Sequence, residues 1–370
     1  MKIIAISDAH LGQTGKDNTG YFSLLSAKCT DPRAKEKREK LVQEVKNFAG
    51  DDYLTLVGVG DILDLSFSYI KDALEDLVEL IRILPVDDFV YVVGNHDHFM
   101  WTMDCEHRNV VSKLMMGNYP IPGTVYKSTE GHFSALLENF LVRQLGWTTT
   151  VILSYPVFYH PGSNVAFTHG HLFGDMYTYM SEILEPFMEI EGAPYREVAA
   201  TVNMPLIEFI YWLLGETGEG MGAEGVMEAV YAKIKEGKKS DLFKAIDRGV
   251  DVLFPDGLVK GIPDSWERKF VKWICHKIVD HYVKEPKPLS SLDRHMPSEG
   301  SRKKAEEWMK RTKDTTPTLV VGHTHVADDY IMSPDLRVIN LGAWLVEPDM
   351  PDPDTSVLFI DEHGMELKKI

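Results

Sequence analysis

Apolar positions along the chain fall first into three short runs, at 2–7, 53–59 and 89–93, each closed by Gly, Asp, Asn or His. Runs of this length bounded by turn residues read as buried strands. Between them the period changes. Residues 32–49 keep Leu41, Val45 and Phe48 on one face, with Asp31 as N-cap, Pro32 in the first turn and Gly50 as the stop. Residues 67–84 repeat a helical pattern that Pro85 closes. Strand, helix, strand, helix, strand predicts an α/β layered core with crossover connections.

The pattern then alters. Residues 132–145 read as a helix, 151–159 and 165–168 as strands. From 175 to 314 strand signals thin out, and helical patterns recur at 176–190, 196–214, 224–236, 240–248, 266–284 and 301–312. Glycine-rich 218–225 and proline-containing 285–291 read as loops or hinges. Strand patterns return at 317–321, 330–332, 337–341 and 356–361. The expected organisation is a core formed by 1–174 and 315–370, with 175–314 as a largely helical cap inserted into it.

Charge and composition narrow the function. The 370 residues carry 39 Lys plus Arg against 56 Asp plus Glu, a formal charge of −17. Such a balance disfavours broad nucleic-acid binding, which needs positive surface to neutralise phosphate. It leaves room for a phosphorylated substrate, because a metal site supplies positive charge locally. Cys29, Cys105 and Cys275 form no C-x-x-C pair, which excludes a disulfide scaffold and a zinc ribbon and suits a reducing cytoplasm. The opening MKIIAISDAH has no apolar leader core, so no secretory signal is expected. No apolar run approaches the roughly 18–20 residues of a membrane span.

The chemistry lies at strand ends. Asp8 and His10 follow the first strand, Asp61 and Asp64 the second, and Asn95, His96 and Asp97 the third. His169 and His171 follow the strand at 165–168, and His323 and His325 the strand at 317–321. Clusters after successive strands belong at the carboxyl edge of a sheet, where α/β proteins bind ligands. Imidazole, carboxylate and carboxamide without thiolate suit Mn, Fe, Zn, Co or Ni in a catalytic rather than a structural site. Too many ligands are present for one tetrahedral ion, whereas two ions about 3.5–4 Å apart, sharing a carboxylate, would use them.

The ordered set D-x-H, G-D-x-x-D, G-N-H-D, H-G-H and G-H-T-H resembles that of the calcineurin-like metallophosphoesterase superfamily. The resemblance implies a two-sheet sandwich flanked by helices and two divalent ions, Mn²⁺ first, bridged by a hydroxide that attacks phosphorus. It implies one ion on Asp8, His10, Asp61 and His325, and the other on Asp61, Asn95, His169 and His323. It also gives His96 the scissile phosphate, where it stabilises charge or protonates the leaving oxygen. Asp97 is expected to orient His96, Asp64 to support the ligands, and His171 to stand behind the metals or touch phosphate.

The implied reaction is hydrolysis of a phosphomonoester, phosphodiester or pyrophosphate in a small-molecule or lipid-linked substrate. Residues 337–344 (RVINLGAW) resemble the closing segment of UDP-2,3-diacylglucosamine pyrophosphohydrolases, but G-N-H-D replaces their G-N-R-D and the insertion is longer. Residues 168–174 resemble small bacterial and archaeal phosphodiesterases. Residues 7–12 resemble double-strand-break repair nucleases, which the charge and the short stretch after His325 disfavour. A non-catalytic scaffold would have lost a ligand position, and none is lost. His98, His107, His132, His160, His276, His281 and His295 are expected to be structural, Cys105 passive, and the basic run at 33–40 a solvated helix face. The aromatic stretch 204–214 is read as cap core, with a lipid groove as the alternative.

Overall fold

The computed structural model describes residues 2–15, 20–106, 132–133, 135–146, 151–184, 194–208, 298–348 and 350–370, with isolated positions elsewhere. The strands are β1 (Lys2–Ile6), β2 (Phe22–Ser23), β3 (Leu54–Val59), β4 (Asp88–Val92), β5 (His132–Phe133), β6 (Val151–Ser154), β7 (Val157–His160) and β8 (Val165–Thr168). They continue with β9 (Thr318–Val321), β10 (Ala327–Ser333), β11 (Leu336–Leu341), β12 (Leu345–Val346), β13 (Ser356–Asp361) and β14 (Gly364–Lys369). The helices described are α1 (Pro32–Ala49), α2 (Ile70–Ile83), α3 (His98–Glu106), α4 (Ala135–Leu145), α5 (Asp175–Leu184), α6 (Tyr195–Ile207) and α7 (Ser298–Thr312).

Two sheets form the layers. The seven-stranded sheet runs β14-β13-β1-β3-β4-β6-β5, and the five-stranded sheet β10-β11-β9-β8-β7. In the first, β1, β3, β4 and β6 are parallel neighbours. In the second, β8, β9 and β11 are. The apolar runs are continuous because both faces are buried. Ile3, Ala5, Val57, Val59, Val90 and Val92 pack against Phe167, Val320 and Ile339 between the sheets. The alternate residues Ile4, Ile6, Leu56, Phe89 and Tyr91 join the outer core with Leu41, Val45 and Leu77 of the helices. Each such side chain, fully buried, stabilises by roughly 1.5–3 kcal/mol. This is the expected α/β two-sheet sandwich flanked by helices.

Three local expectations change. The helix expected over 67–84 begins at Ile70, because Asp64 Oδ1 accepts the N–H groups of Ser66 (3.2 Å) and Phe67 (3.0 Å) and holds the entry as a turn. The strand expected over 151–159 is two strands in different sheets, β6 and β7. Tyr155-Pro156 separates them, and Pro156 has no N–H to give to a ladder. The helix expected over 132–145 begins at Ala135, after the short β5. α3, β2, β12 and the polar edge strand β14 were not legible as elements.

Within 175–314, α5 and α6 pack together through Asn203, whose Nδ2 donates to Tyr177 O (3.1 Å), Ser181 Oγ (3.0 Å) and Ala199 O (2.8 Å). α7 returns toward the core, with Arg302 paired to Asp328 of β10 at 2.9 Å. The helical patterns at 224–236, 240–248 and 266–284 and the loops at 218–225 and 285–291 lie outside the described residues, isolated positions aside. So does most of 204–214 beyond Glu208. No helix among the described residues is long and apolar enough to cross a membrane.

Candidate metal centre

The carboxyl ends of β1, β3 and β4 in one sheet meet those of β8 and β9 in the other. Each leads into one of the polar clusters. The chain must leave these strands sharply, and of the seven non-glycine residues with positive φ among the described residues five stand here: Asp8 (50°), His10 (44°), Asp61 (49°), His323 (71°) and His325 (59°). Such conformations cost on the order of 1–3 kcal/mol each and persist where the surroundings over-determine them. The surroundings do so. Asp8 N–H donates to Gly60 O (3.1 Å), His10 N–H to Asp61 O (2.9 Å), Trp344 N–H to Asp8 O (3.0 Å) and His323 N–H to Asp8 Oδ2 (2.9 Å). Two glycines give the side chains room. A Cβ on Gly60 would lie 2.3 Å from the His169 ring, and one on Gly322 would lie 1.8 Å from Ser7 Oγ.

The side chains converge in the interior. Asp8, His10 and His169 are wholly buried, and His323, at 9% exposure, is the most open of the seven expected ligands. Asp8 Oδ1 lies 3.3 Å from His325 Nε2 and 4.0 Å from His169 Nε2. Asp61 Oδ2 lies 3.1 Å from His169 Nε2 and 4.0 Å from His10 Nε2. Asn95 Oδ1 is 3.1 Å from His169 Nε2. Among the described residues three groups are compact enough to hold an ion: Asp8 with His10 and His325, Asp61 with His169 and His323, and His10 with Asp64 and His96.

The outer ring nitrogens are spoken for. His10 Nδ1 donates to Asp64 Oδ2 (3.1 Å), His169 Nδ1 to Val59 O (3.1 Å) and His325 Nδ1 to Glu347 Oε1 (2.5 Å). With Nδ1 committed to an acceptor, Nε2 carries the lone pair that turns inward, the orientation of metal-ligating histidines. His10 Nε2 has no hydrogen-bond partner among the described residues. His169 Nε2 faces the Asp61 carboxylate and the Asn95 carboxamide oxygen, an array of acceptors that a cation between them would satisfy. Burial opposes charge on His169, yet Asp61 and Asp8 push its pKa up to about 9. Burial likewise opposes charge on His325, and Asp8 and Glu347 push it up to about 9. The site demands cations, and its donor set fits divalent metal.

Metal loading must therefore displace protons. Titrating the chelated protein with Mn²⁺ in weak buffer is expected to acidify the solution. Apparent affinity should rise as pH climbs from 6.5 toward 9, the interval between the ordinary histidine value and the raised one. An affinity flat over that interval would show that neither histidine is a ligand.

Asp64 and Asp97 divide differently from expectation. Asp97 accepts from Ile62 N–H (2.9 Å), Gly94 N–H (2.6 Å) and Tyr91 O–H (2.5 Å), so it stitches the loops after β3 and β4 together rather than orienting His96. Burial and the nearby Asp61 raise its pKa to about 7. The carboxylate facing His96 is that of Asp64, with Oδ1 3.5 Å from His96 Nδ1. Asp64 Oδ2 meanwhile holds His10 and accepts from Gln13 Nε2 at 3.1 Å. His171 stands behind the ligands with Nε2 3.2 Å from Tyr155 O–H, its ring centroid 5.5 Å from that of His169. His98, expected to be structural, is buried against Tyr155 and paired to Glu208.

Glu347 is the site residue that sequence reasoning missed. It follows the short β12 and reaches His325 from 22 positions downstream. The available signal was an acidic residue closing an apolar run, the same grammar as Asp8. Glu347→Gln should weaken metal binding by roughly 10–100-fold, as loss of such an outer partner does elsewhere. Calorimetric titration of the metal-free variant measures this.

The sequence pattern of the calcineurin-like phosphoesterase family matches residues 1–196. The chain belongs to that family, and with it to the metal-dependent hydrolases of phosphate esters. The match spans Asp8 through His171, and the fold brings His323 and His325 to the same place from beyond it. No curated protein matches the chain. Among solved structures, a metallophosphoesterase from Sphaerobacter thermophilus is 12% identical with a TM-score of 0.31, covering 100% of this chain and 88% of its own. A dimetal phosphatase from Danio rerio is 12% identical with a TM-score of 0.36, covering 100% and 95%. Both are distant, and membership stands on the match over 1–196.

Proposed function

We propose that the chain hydrolyses phosphate esters with two divalent cations. One is held by Asp8, His10, Asp61 and His325, the other by Asp61, Asn95, His169 and His323. The observation that carries this is the convergence of buried Nε2 atoms on Asp8 and Asp61, with their Nδ1 atoms anchored outside. Mn²⁺ is the proposed metal, consistent with borderline nitrogen and hard oxygen donors without thiolate. The bound cations supply positive charge for the phosphoryl oxygens and lower the pKa of water. Hydrolysis adds water across the P–O bond, with oxygen going to phosphorus and a proton to the departing oxygen. His96 gives that proton, and Asp64 positions its ring.

Residues 175–314 are proposed as an inserted cap that sets substrate choice. Their place between His169 and His323, proposed ligands of one ion, supports this, since both ends must lie near the site. A reducing, cytoplasmic setting is supported by cysteine usage, three residues with no C-x-x-C pair.

The test is metal content by elemental analysis beside turnover of a panel of phosphomonoesters, phosphodiesters, nucleotides and a UDP-linked lipid. It would be run on chelated protein reloaded separately with Mn²⁺, Fe²⁺, Co²⁺, Zn²⁺ or Ni²⁺. Two ions per chain and metal-restored hydrolysis are expected. One ion at saturation, with full activity, would remove the dinuclear reading.

A further inference from the structure

Among the described residues, the rings of His10, Phe67 and Tyr211 meet His96. His10 lies on the metal side, with centroids 4.8 Å apart. Phe67, in the turn that Asp64 holds, lies at 5.3 Å. Tyr211, four positions past the end of α6, lies at 4.9 Å. Phe67 and Tyr211 are half-buried, whereas His96 itself is only 3% exposed.

Tyr211 comes from the region between the metal motifs, and the chain just before it is tied down. Glu208 accepts from His98 Nδ1 and from Thr102 Oγ1, the latter at 2.7 Å. His98 is buried and directly follows the Asn95-His96-Asp97 loop. The segment that delivers Tyr211 and the loop that carries His96 are thus joined by a half-buried carboxylate, three positions before the tyrosine.

We infer that Phe67 and Tyr211 form the subsite for the leaving group and select a flat aromatic group over an alkyl one, with Glu208 as the positioning residue for Tyr211. The inference rests on the reading of His96 as proton donor. A group attached to the oxygen that His96 protonates must lie beside His96. His10 occupies the metal side, so the substituent meets Phe67 or Tyr211. Aromatic rings gain from edge-to-face and offset contacts beyond the area they bury, and a saturated ring of equal size does not.

The probes are benzyl and cyclohexylmethyl esters, as phosphomonoesters and as methyl phosphodiesters. Their alcohols are close in size, and their small difference in acidity is the same for every variant, so the change in the kcat/KM ratio from wild type to variant reads the contact. The metal-loaded full chain should favour benzyl by about two- to tenfold. Tyr211→Leu should lower the ratio by about that factor, and Tyr211→Phe should keep it. Glu208→Gln should shrink it chiefly through KM, with metal content retained, which general destabilisation would not produce. If Tyr211→Leu fails to fold with its metals, Phe67→Leu replaces it and the same ratio decides. An equal ratio in wild type and the leucine variant overturns the inference, as does a wild type without benzyl preference that still turns over the wider panel. Failure of the metal-loaded chain on every phosphoester overturns the reading of the site as well.

Discussion

Asp61→Asn is expected to remove at least one of the two metal ions and to lower kcat/KM by roughly 10³-fold or more, since it withdraws a central charge of the site. Asp61 Oδ2 lies 3.1 Å from His169 Nε2 and 4.0 Å from His10 Nε2, between the two histidines assigned to different ions. Its other oxygen accepts the His96 N–H at 2.8 Å. Burial pushes this carboxyl up, but His169, His96 and His10 hold it well below the usual range, so it is charged when the site is assembled. Asparagine has the same shape and keeps one acceptor, so the loop should survive. It lacks the charge, and its one neutral oxygen replaces a carboxylate that two cations would share. Elemental analysis and turnover on one preparation check both parts. Two ions and near-normal turnover in Asp61→Asn would remove the bridging role.

His96→Ala is expected to lower kcat by about 10²–10⁴-fold, the range for a positioned proton donor, with metal content intact. The distinction follows from how the residue is built in. Its backbone N–H holds Asp61, and alanine keeps that bond. Its ring lies against His10, Phe67 and Tyr211, with Nδ1 toward Asp64. Substrates with acidic leaving groups should suffer less, because they depart without a proton. A variant that loses an ion would make His96 a ligand and would redraw the set that includes His10 and Asp64.

Which residues collect at the site was legible in the chain because strand ends are local events. An apolar run of a few residues stops at Asp, Asn or His, beside Gly in every case but Asp8, and the same grammar repeats at 8, 61, 95, 169 and 323. The layered α/β order was legible for the same reason, since buried strands and amphipathic helices differ in period. The roles of Asp64 and Asp97 were not. Both are carboxylates near His96 in sequence, and only the turn geometry sends Asp97 onto Ile62 and Gly94 and leaves Asp64 facing the ring.

Long-range partners were equally hidden. Glu347 meets His325, and Glu208 meets His98 across 110 positions, because strands and helices distant in sequence pack side by side. The break at Tyr155-Pro156 shows the same division. The apolar run alone reads as one strand, and only sheet assembly decides that β6 and β7 belong to different layers. By itself, then, the sequence determined the succession of strands and helices, the residue types at the strand ends and the chemistry they suit, all of which depend on neighbours within a few residues. Tertiary structure alone decided which carboxylate serves which imidazole and which rings surround His96, because those contacts join elements far apart along the chain.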